Sequence, residues 1–131
     1  MQTMSFLSFC LLFILTFSCK APFKVIETRL MIIPDKIYFD YESLDKNGLI
    51  GPADGLVSVD YEFCIPTDKD LQSQALSMDP SLKILDSQGR SRCKKGEVLA
   101  MGNTQQANAK RVLEGLSSLT FVGKINRVWF E

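Results

Sequence analysis

The stretch Leu56 to Ile65, LVSVDYEFCI, constrains the fold of this chain more than any other segment. Apolar and polar residues alternate along it, which is the period of a β-strand covered on one face. The apolar side consists of Val57, Val59, Tyr61, Phe63 and Ile65, and the other side of Ser58, Asp60, Glu62 and Cys64. Pro66 ends the run, because proline cannot donate to a strand ladder. We therefore predict a half-buried strand here.

The residues after this strand predict a regular alternation of elements. Thr67 and Asp70 form a capping box for a helix that ends before Asp79, which precedes Pro80. SLKILDS and EVLAMGN then predict two strands joined by the turn-rich QGRSRCKKG. A second amphipathic helix follows, capped by Asn103 or Thr104, and VGKINRVWF predicts a last strand.

The predicted order from residue 55 is strand, helix, strand, strand, helix, strand. This order resembles the ferredoxin-like α/β sandwich, an α+β fold with two helices on one face of an antiparallel sheet. The resemblance covers residues 55–131 and implies that the first and third strands are neighbours at the centre of the sheet. It implies no activity, because this fold carries many unrelated functions.

The amino terminus carries an apolar run, Phe6 to Phe17, that is too short for a comfortable transmembrane helix. Ser18 and Cys19 follow, and this ending resembles the lipobox of bacterial lipoproteins. The resemblance implies a signal peptide over residues 1–18, a lipid on Cys19 and a location in the bacterial cell envelope. Simple secretion, or release into the periplasm, is the alternative. Residues 19–54 are then a tether with an extended β segment.

The four cysteines have different expected fates. Cys10 leaves with the signal peptide and Cys19 is lipidated, so Cys64 and Cys93 remain as a pair. In a ferredoxin-like sheet the first strand ends where the second and third strands are joined, so we predict a disulfide between these two cysteines in an oxidising compartment. Inert thiols are one alternative. A thiol-redox pair, assisted by Lys94 or by the carboxylates of Asp60 and Glu62, is the other.

Catalysis finds little support in the residues. The chain contains no histidine, so it cannot by itself supply a Cys-His or Ser-His-Asp mechanism. Two cysteines without histidine do not make a zinc site. No phosphate-binding glycine motif occurs either. We predict no catalytic residues, no metal and no cofactor.

Three surface features suggest binding. Arg90, Arg92, Lys94 and Lys95 form a basic loop that either binds an anion or is simply solvated. Asp60 and Glu62 face away from the predicted core, and Arg127 and Trp129, beside Phe130, lie on a strand predicted at a sheet edge. The formal net charge is zero, which argues against a nucleic-acid partner.

The segments YEFCIP and GRSRC are together similar to a pattern in small uncharacterised bacterial proteins, a likeness that implies no activity. We therefore expect a small exported, lipid-anchored protein that acts as a non-enzymatic binding or envelope-assembly module, with a membrane and a protein as partners. A thiol-redox protein or enzyme using Cys64 and Cys93 is one alternative. A periplasmic anion or ligand binder that uses the basic loop is the other.

Overall fold

The computed structural model describes residues 35–130. The predicted signal peptide, Cys19, most of the predicted tether and Glu131 lie outside the described residues. The described residues, 35–130, belong to one compact unit, so the described part of the predicted β extension is packed together with the body.

The regular elements of the described residues are short strands and two helices of ten residues each. The strands are β1 (Ile37–Tyr38), β2 (Leu49–Ile50), β3 (Val57–Ser58), β4 (Asp60–Pro66), β5 (Lys83–Leu85), β6 (Glu97–Asn103) and β7 (Ile125–Val128). The helices are α1 (Lys69–Met78) and α2 (Ala109–Ser118). The predicted α+β class is confirmed.

The main sheet has five strands in the order β1-β7-β4-β6-β5. β4 pairs antiparallel with both β6 and β7, and β5 pairs antiparallel with β6. β1 pairs parallel with β7, with Ile37 opposite Ile125. The sheet is therefore mixed and its strand order differs from the four-stranded antiparallel sheet expected from the sequence. The difference arises because the segment after Pro34 adds a strand along β7 and packs Ile37 against the core.

The core lies on the face of β4 that carries the predicted apolar residues. Tyr61, Phe63 and Ile65 are fully buried there. Ala75 of α1 and Leu113 of α2 belong to the same cluster, so both helices cover this face. Burial of such side chains is the main stabilising contribution, about 1.5 to 3 kcal/mol for each large one. Val57 is the exception to the predicted pattern: it is exposed, because β3 pairs with β2 in a separate two-stranded sheet.

The helix boundaries correct two predicted caps. The cap of α1 is Asp68 rather than Thr67, and its carboxylate accepts hydrogen bonds from the N–H groups of Asp70 and Leu71. The predicted end of α1 before Asp79 is confirmed. α2 begins after Asn108 instead of at Asn103 or Thr104.

Asn103 and Thr104 make other bonds, which explains why neither caps α2. The side chain of Asn103 accepts from the N–H of Gln105, 2.7 Å away, and closes a turn. Thr104 is fully buried, and its hydroxyl donates to the carbonyl of Gly48 at 2.6 Å while accepting from the N–H of Val59 at 2.8 Å. Thr104 therefore ties the segment before β2 to the start of β4.

Candidate functional site

Cys64 and Cys93 form a disulfide bond, with an S–S distance of 2.05 Å and a Cα–Cα distance of 5.4 Å. Cys64 lies near the end of β4, and Cys93 lies in the connection between β5 and β6. The predicted disulfide is thus confirmed at the predicted end of the sheet. We call the connection that carries Cys93, residues 86–96, the cysteine loop.

The cysteine loop lies over part of the sheet face that the helices leave uncovered. The N–H of Ser91 donates to the carboxylate of Glu62, and the side-chain amide of Asn126 donates to Ser91 Oγ at 3.0 Å. Gly89 packs closely here, since a Cβ on it would lie 2.6 Å from Leu99 Cδ1. The cysteine loop is therefore held to the sheet by hydrogen bonds as well as by the disulfide.

The sequence predicted that Asp60 and Glu62 lie together on an uncovered sheet face, but in the structure the two carboxylates differ in burial and in hydrogen-bond partners. Glu62 is only 3% exposed, because Ser91 and its neighbours in the loop cover it. Asp60 stays half-buried, and its carboxylate accepts from the amide of Asn103 at 2.8 Å. Glu62 therefore positions the cysteine loop. Of the two carboxylates, only Asp60 is accessible to a partner.

A cleft of about 530 Å³ lies beside the disulfide. The cysteine loop and the start of β6 form one wall, and the connection from α2 to β7 forms the other. Its lining consists of Cys64, Ser91, Lys94, Glu97, Thr120, Phe121, Val122, Gly123, Lys124 and Asn126. The cleft therefore brings cations, neutral donors and an aromatic ring to the end of the sheet where the disulfide lies.

The predicted basic loop contributes to this cleft through one residue. Lys94 lines the cleft, whereas Arg90, Arg92 and Lys95 do not, and all four residues are exposed. Lys124, the second cation of the lining, was not among the predicted residues. The predicted topology carried a signal for it, because a strand antiparallel to β4 must begin near the end of β4, where Cys64 lies.

Glu97 lies close to the disulfide, with a carboxylate oxygen within 4.8 Å of both sulfur atoms. Its carboxylate accepts from the N–H of Lys94 at 2.8 Å. Metal ions bind cysteine as the thiolate. Cys64 and Cys93 are bonded to each other, so in this state neither offers one.

Aromatic residues are exposed at the edge formed by β1 and β7. Trp129 is 59% exposed, and the Arg127 guanidinium lies over its ring, 3.6 Å from the centroid. Phe130, the next residue in the chain, and Tyr38 of β1 are also exposed, and Lys124 Nζ lies 5.0 Å from the centroid of the Tyr38 ring. The sequence predicted β7 at the edge of the sheet. This prediction is wrong, because β1 pairs with the first two residues of β7 and is the outermost strand.

A second depression of about 460 Å³ lies at the start of α2. Asp45, Lys46, Lys110 and Arg111 are among its lining residues. Lys110 already pairs with Glu42 at 4.0 Å, and the other charges have both signs. With Lys110 paired, Asp45, Lys46 and Arg111 leave a formal charge of +1 in this depression.

Comparisons of the chain with protein-family models, curated proteins and solved structures found no match. Within residues 35–130, neither helix is long and apolar enough to span a bilayer.

Proposed function

We propose that this chain is a small exported, non-enzymatic binding module of the bacterial cell envelope, held to a membrane by a lipid on Cys19. The observation that carries the proposal is the disulfide between Cys64 and Cys93. Such bonds persist in oxidising compartments and are rare in the cytosol. Export is also what the apolar run before Cys19 favours. Release into the periplasm or the medium is the alternative location.

The body, in this proposal, is a ferredoxin-like sandwich with one added edge strand. Four strands, in the order β7-β4-β6-β5, pair antiparallel, and both helices pack on one face. β1 then extends the sheet beyond β7. This architecture is consistent with a scaffold. It does not specify a ligand, because the ferredoxin-like fold carries many functions.

The β1–β7 edge is the surface that we assign to a protein partner in the envelope. Trp129 and Phe130 are large, exposed and apolar, and Arg127 stacks on the indole ring. Tryptophan and arginine are the residues most often found at the energetic centre of interfaces. Asp60, on the strand next to β7, adds a half-buried carboxylate at the same level as Val128.

Metabolic labelling with a fatty-acid analogue in a bacterial host tests the lipid anchor. We expect label on the natural chain and on Cys10→Ser, and none on Cys19→Ser. The Cys10 variant is the matched control, because that residue is predicted to leave with the signal peptide. A chain without label would remove the anchor from the proposal and favour the secreted form.

Site-specific photo-crosslinking in intact cells tests the partner surface. A crosslinking residue at position 129 should give one adduct of defined mass. The same residue at position 85 is the control, because Leu85 is 41% exposed and lies on the opposite edge strand. Equal adducts from both positions would mean that the β1–β7 edge is not a specific interface.

A thiol-redox protein is the second candidate, and one observation favours it. Cys64 is half-buried and lines the cleft, and Lys94 lines it as well. Equilibration with glutathione buffers separates the two candidates. A structural bridge has a reduction potential below about −300 mV and stays oxidised, whereas an exchange-active bridge is reduced at higher potentials.

A further inference from the structure

We propose that the cleft beside the disulfide binds a small organic carboxylate. This inference depends on the proposed role of the chain as a binding module and names the class of ligand. It also replaces the predicted basic loop by two exposed cations of the lining, Lys94 from the cysteine loop and Lys124 from the α2–β7 connection, whose Nζ lies over the Tyr38 ring.

The size of the cleft suits a small organic molecule. Its volume of about 530 Å³ falls within the range of about 300 to 1,000 Å³ that is typical of ligand pockets. Its walls belong to two connections held by the same sheet. The disulfide bonds one wall covalently to β4, and β7, which follows the other wall, pairs with β4. The site is therefore largely formed before a ligand enters, which lowers the entropic cost of binding.

The charges of the lining favour an anion with a single charge. Lys94 and Lys124 contribute +2 and Glu97 contributes −1, so the ionised side chains of the lining sum to +1. Glu97 is partly engaged, because its carboxylate accepts from the N–H of Lys94. A carboxylate balances this charge, whereas a phosphate dianion leaves an excess negative charge near Glu97.

Neutral groups of the lining are placed to complete the recognition of a carboxylate. Ser91 Oγ accepts from the amide of Asn126 at 3.0 Å, and its hydroxyl hydrogen has no acceptor among the described residues, so it can donate to a ligand. Thr120 adds a second hydroxyl. Hydrogen bonds to a charged acceptor are about twice as strong as those between neutral groups.

The apolar part of the lining implies that the ligand is more than a bare ion. Phe121 is half-buried and contributes to the wall formed by the α2–β7 connection. The disulfide of Cys64 provides further weakly polar surface. A carboxylate with a small apolar group would place its charge between the two lysines and its apolar part against Phe121.

Calorimetric titration of the oxidised full chain, in nonionic detergent, with benzoate tests the inference. We expect benzoate to bind and benzyl alcohol, which has a similar shape and no charge, to bind at least tenfold more weakly. Lys94→Gln and Lys124→Gln should each weaken benzoate binding about tenfold or more, because each removes one charge-assisted hydrogen bond. Inorganic phosphate should bind more weakly than benzoate.

Lys95→Gln is the matched control, because Lys95 is exposed like its neighbour Lys94 but does not line the cleft. It should bind benzoate as the natural chain does. Undetectable benzoate binding, or an equal loss in the Lys94 and Lys95 variants, would overturn the assigned site. Tighter binding of phosphate than of benzoate would overturn the assigned class of ligand.

The two proposals fail in different measurements. A cleft that does not bind benzoate leaves the fatty-acid labelling of Cys19 unchanged. A chain that is not labelled leaves the benzoate titration unchanged, because the cleft lies wholly within the described residues.

Discussion

Tyr61 donates a buried hydrogen bond to the carboxylate of Asp79, and this bond joins the central strand β4 to the end of α1. Both residues are 0% exposed. Asp79 also accepts from the N–H of Ser81 at 2.9 Å and from its hydroxyl at 2.6 Å. The buried carboxylate is therefore surrounded by donors, and each donor that is removed has a cost.

Tyr61→Phe should lower the free energy of unfolding at neutral pH by about 1 to 3 kcal/mol, because Asp79 stays buried with one donor fewer. Urea unfolding at pH 7 measures the change. Tyr38→Phe is the matched control, because Tyr38 is 55% exposed and should cost little. Equal effects in the two variants would show that the Tyr61–Asp79 bond contributes nothing of its own.

The same residue predicts how stability changes at alkaline pH. Burial raises the pKa of Tyr61 above its ordinary value of about 10, and the hydrogen bond to Asp79 raises it further. A pKa raised in the folded state gives a contribution that is complete below pH 10 and is lost as the pH rises above it. The free energy of unfolding, measured from pH 8 to pH 11, should therefore fall less steeply above pH 10 in Tyr61→Phe. If the free energy of unfolding fell equally steeply above pH 10 in the natural chain and in Tyr61→Phe, the raised pKa of Tyr61 would not be the cause of the fall.

Reduction of the disulfide should lower the free energy of unfolding by about 3 to 4 kcal/mol. The two cysteines are 29 residues apart, and cross-linking a loop of this length restricts the unfolded chain by about that much. Urea unfolding with and without dithiothreitol measures the difference. The double variant Cys64→Ser, Cys93→Ser should be as unstable as the reduced protein and insensitive to dithiothreitol. A reductant effect that persisted in this variant would have to arise elsewhere.

Gly102→Ala should destabilise the protein by about 1 to 3 kcal/mol through overpacking. A Cβ on Gly102 would lie 2.5 Å from Cζ of Tyr61, and the tyrosine is held in place by its bond to Asp79. Gly123→Ala is the matched control, because nothing lies within 4 Å of the position of its Cβ. Comparable midpoints of thermal unfolding for both variants would contradict the close packing at Gly102.

Asp68→Ala should lower stability by about 0.5 to 2 kcal/mol, whereas Thr67→Ala should change it little. Asp68 accepts from two N–H groups of the first turn of α1, and Thr67 does not cap the helix. Circular dichroism during urea unfolding compares the two variants. A larger loss of stability in Thr67→Ala than in Asp68→Ala would instead identify Thr67 as the cap, as the sequence predicted.

Glu62→Ala should loosen the cysteine loop, because the N–H of Ser91 loses its acceptor. Amide hydrogen exchange at Ser91 should become about tenfold faster or more, which corresponds to about 1.4 kcal/mol of lost protection. Asp60→Ala is the control, since Asp60 bonds to Asn103 and not to the loop. Unchanged exchange at Ser91 would mean that the bond to Glu62 does not hold the loop.

The order of strands and helices from Asp60 onward was predictable because it depends on local patterns. Alternation along β4 and the helical spacing of Ala109, Leu113 and Leu116 are properties of neighbouring residues. The disulfide was predictable one step later, because the order of elements restricts which connections meet at the end of β4.

The parallel strand β1, the cap at Asp68 and the buried state of Glu62 were decided only by the tertiary structure. The physical reason is common to all three. Each depends on which backbone and side-chain groups are left to be satisfied once the sheet and helices have packed, and residues far apart in the chain supply the partners. Glu62 accepts from Ser91, 29 positions away, and no pattern around either residue reports that bond.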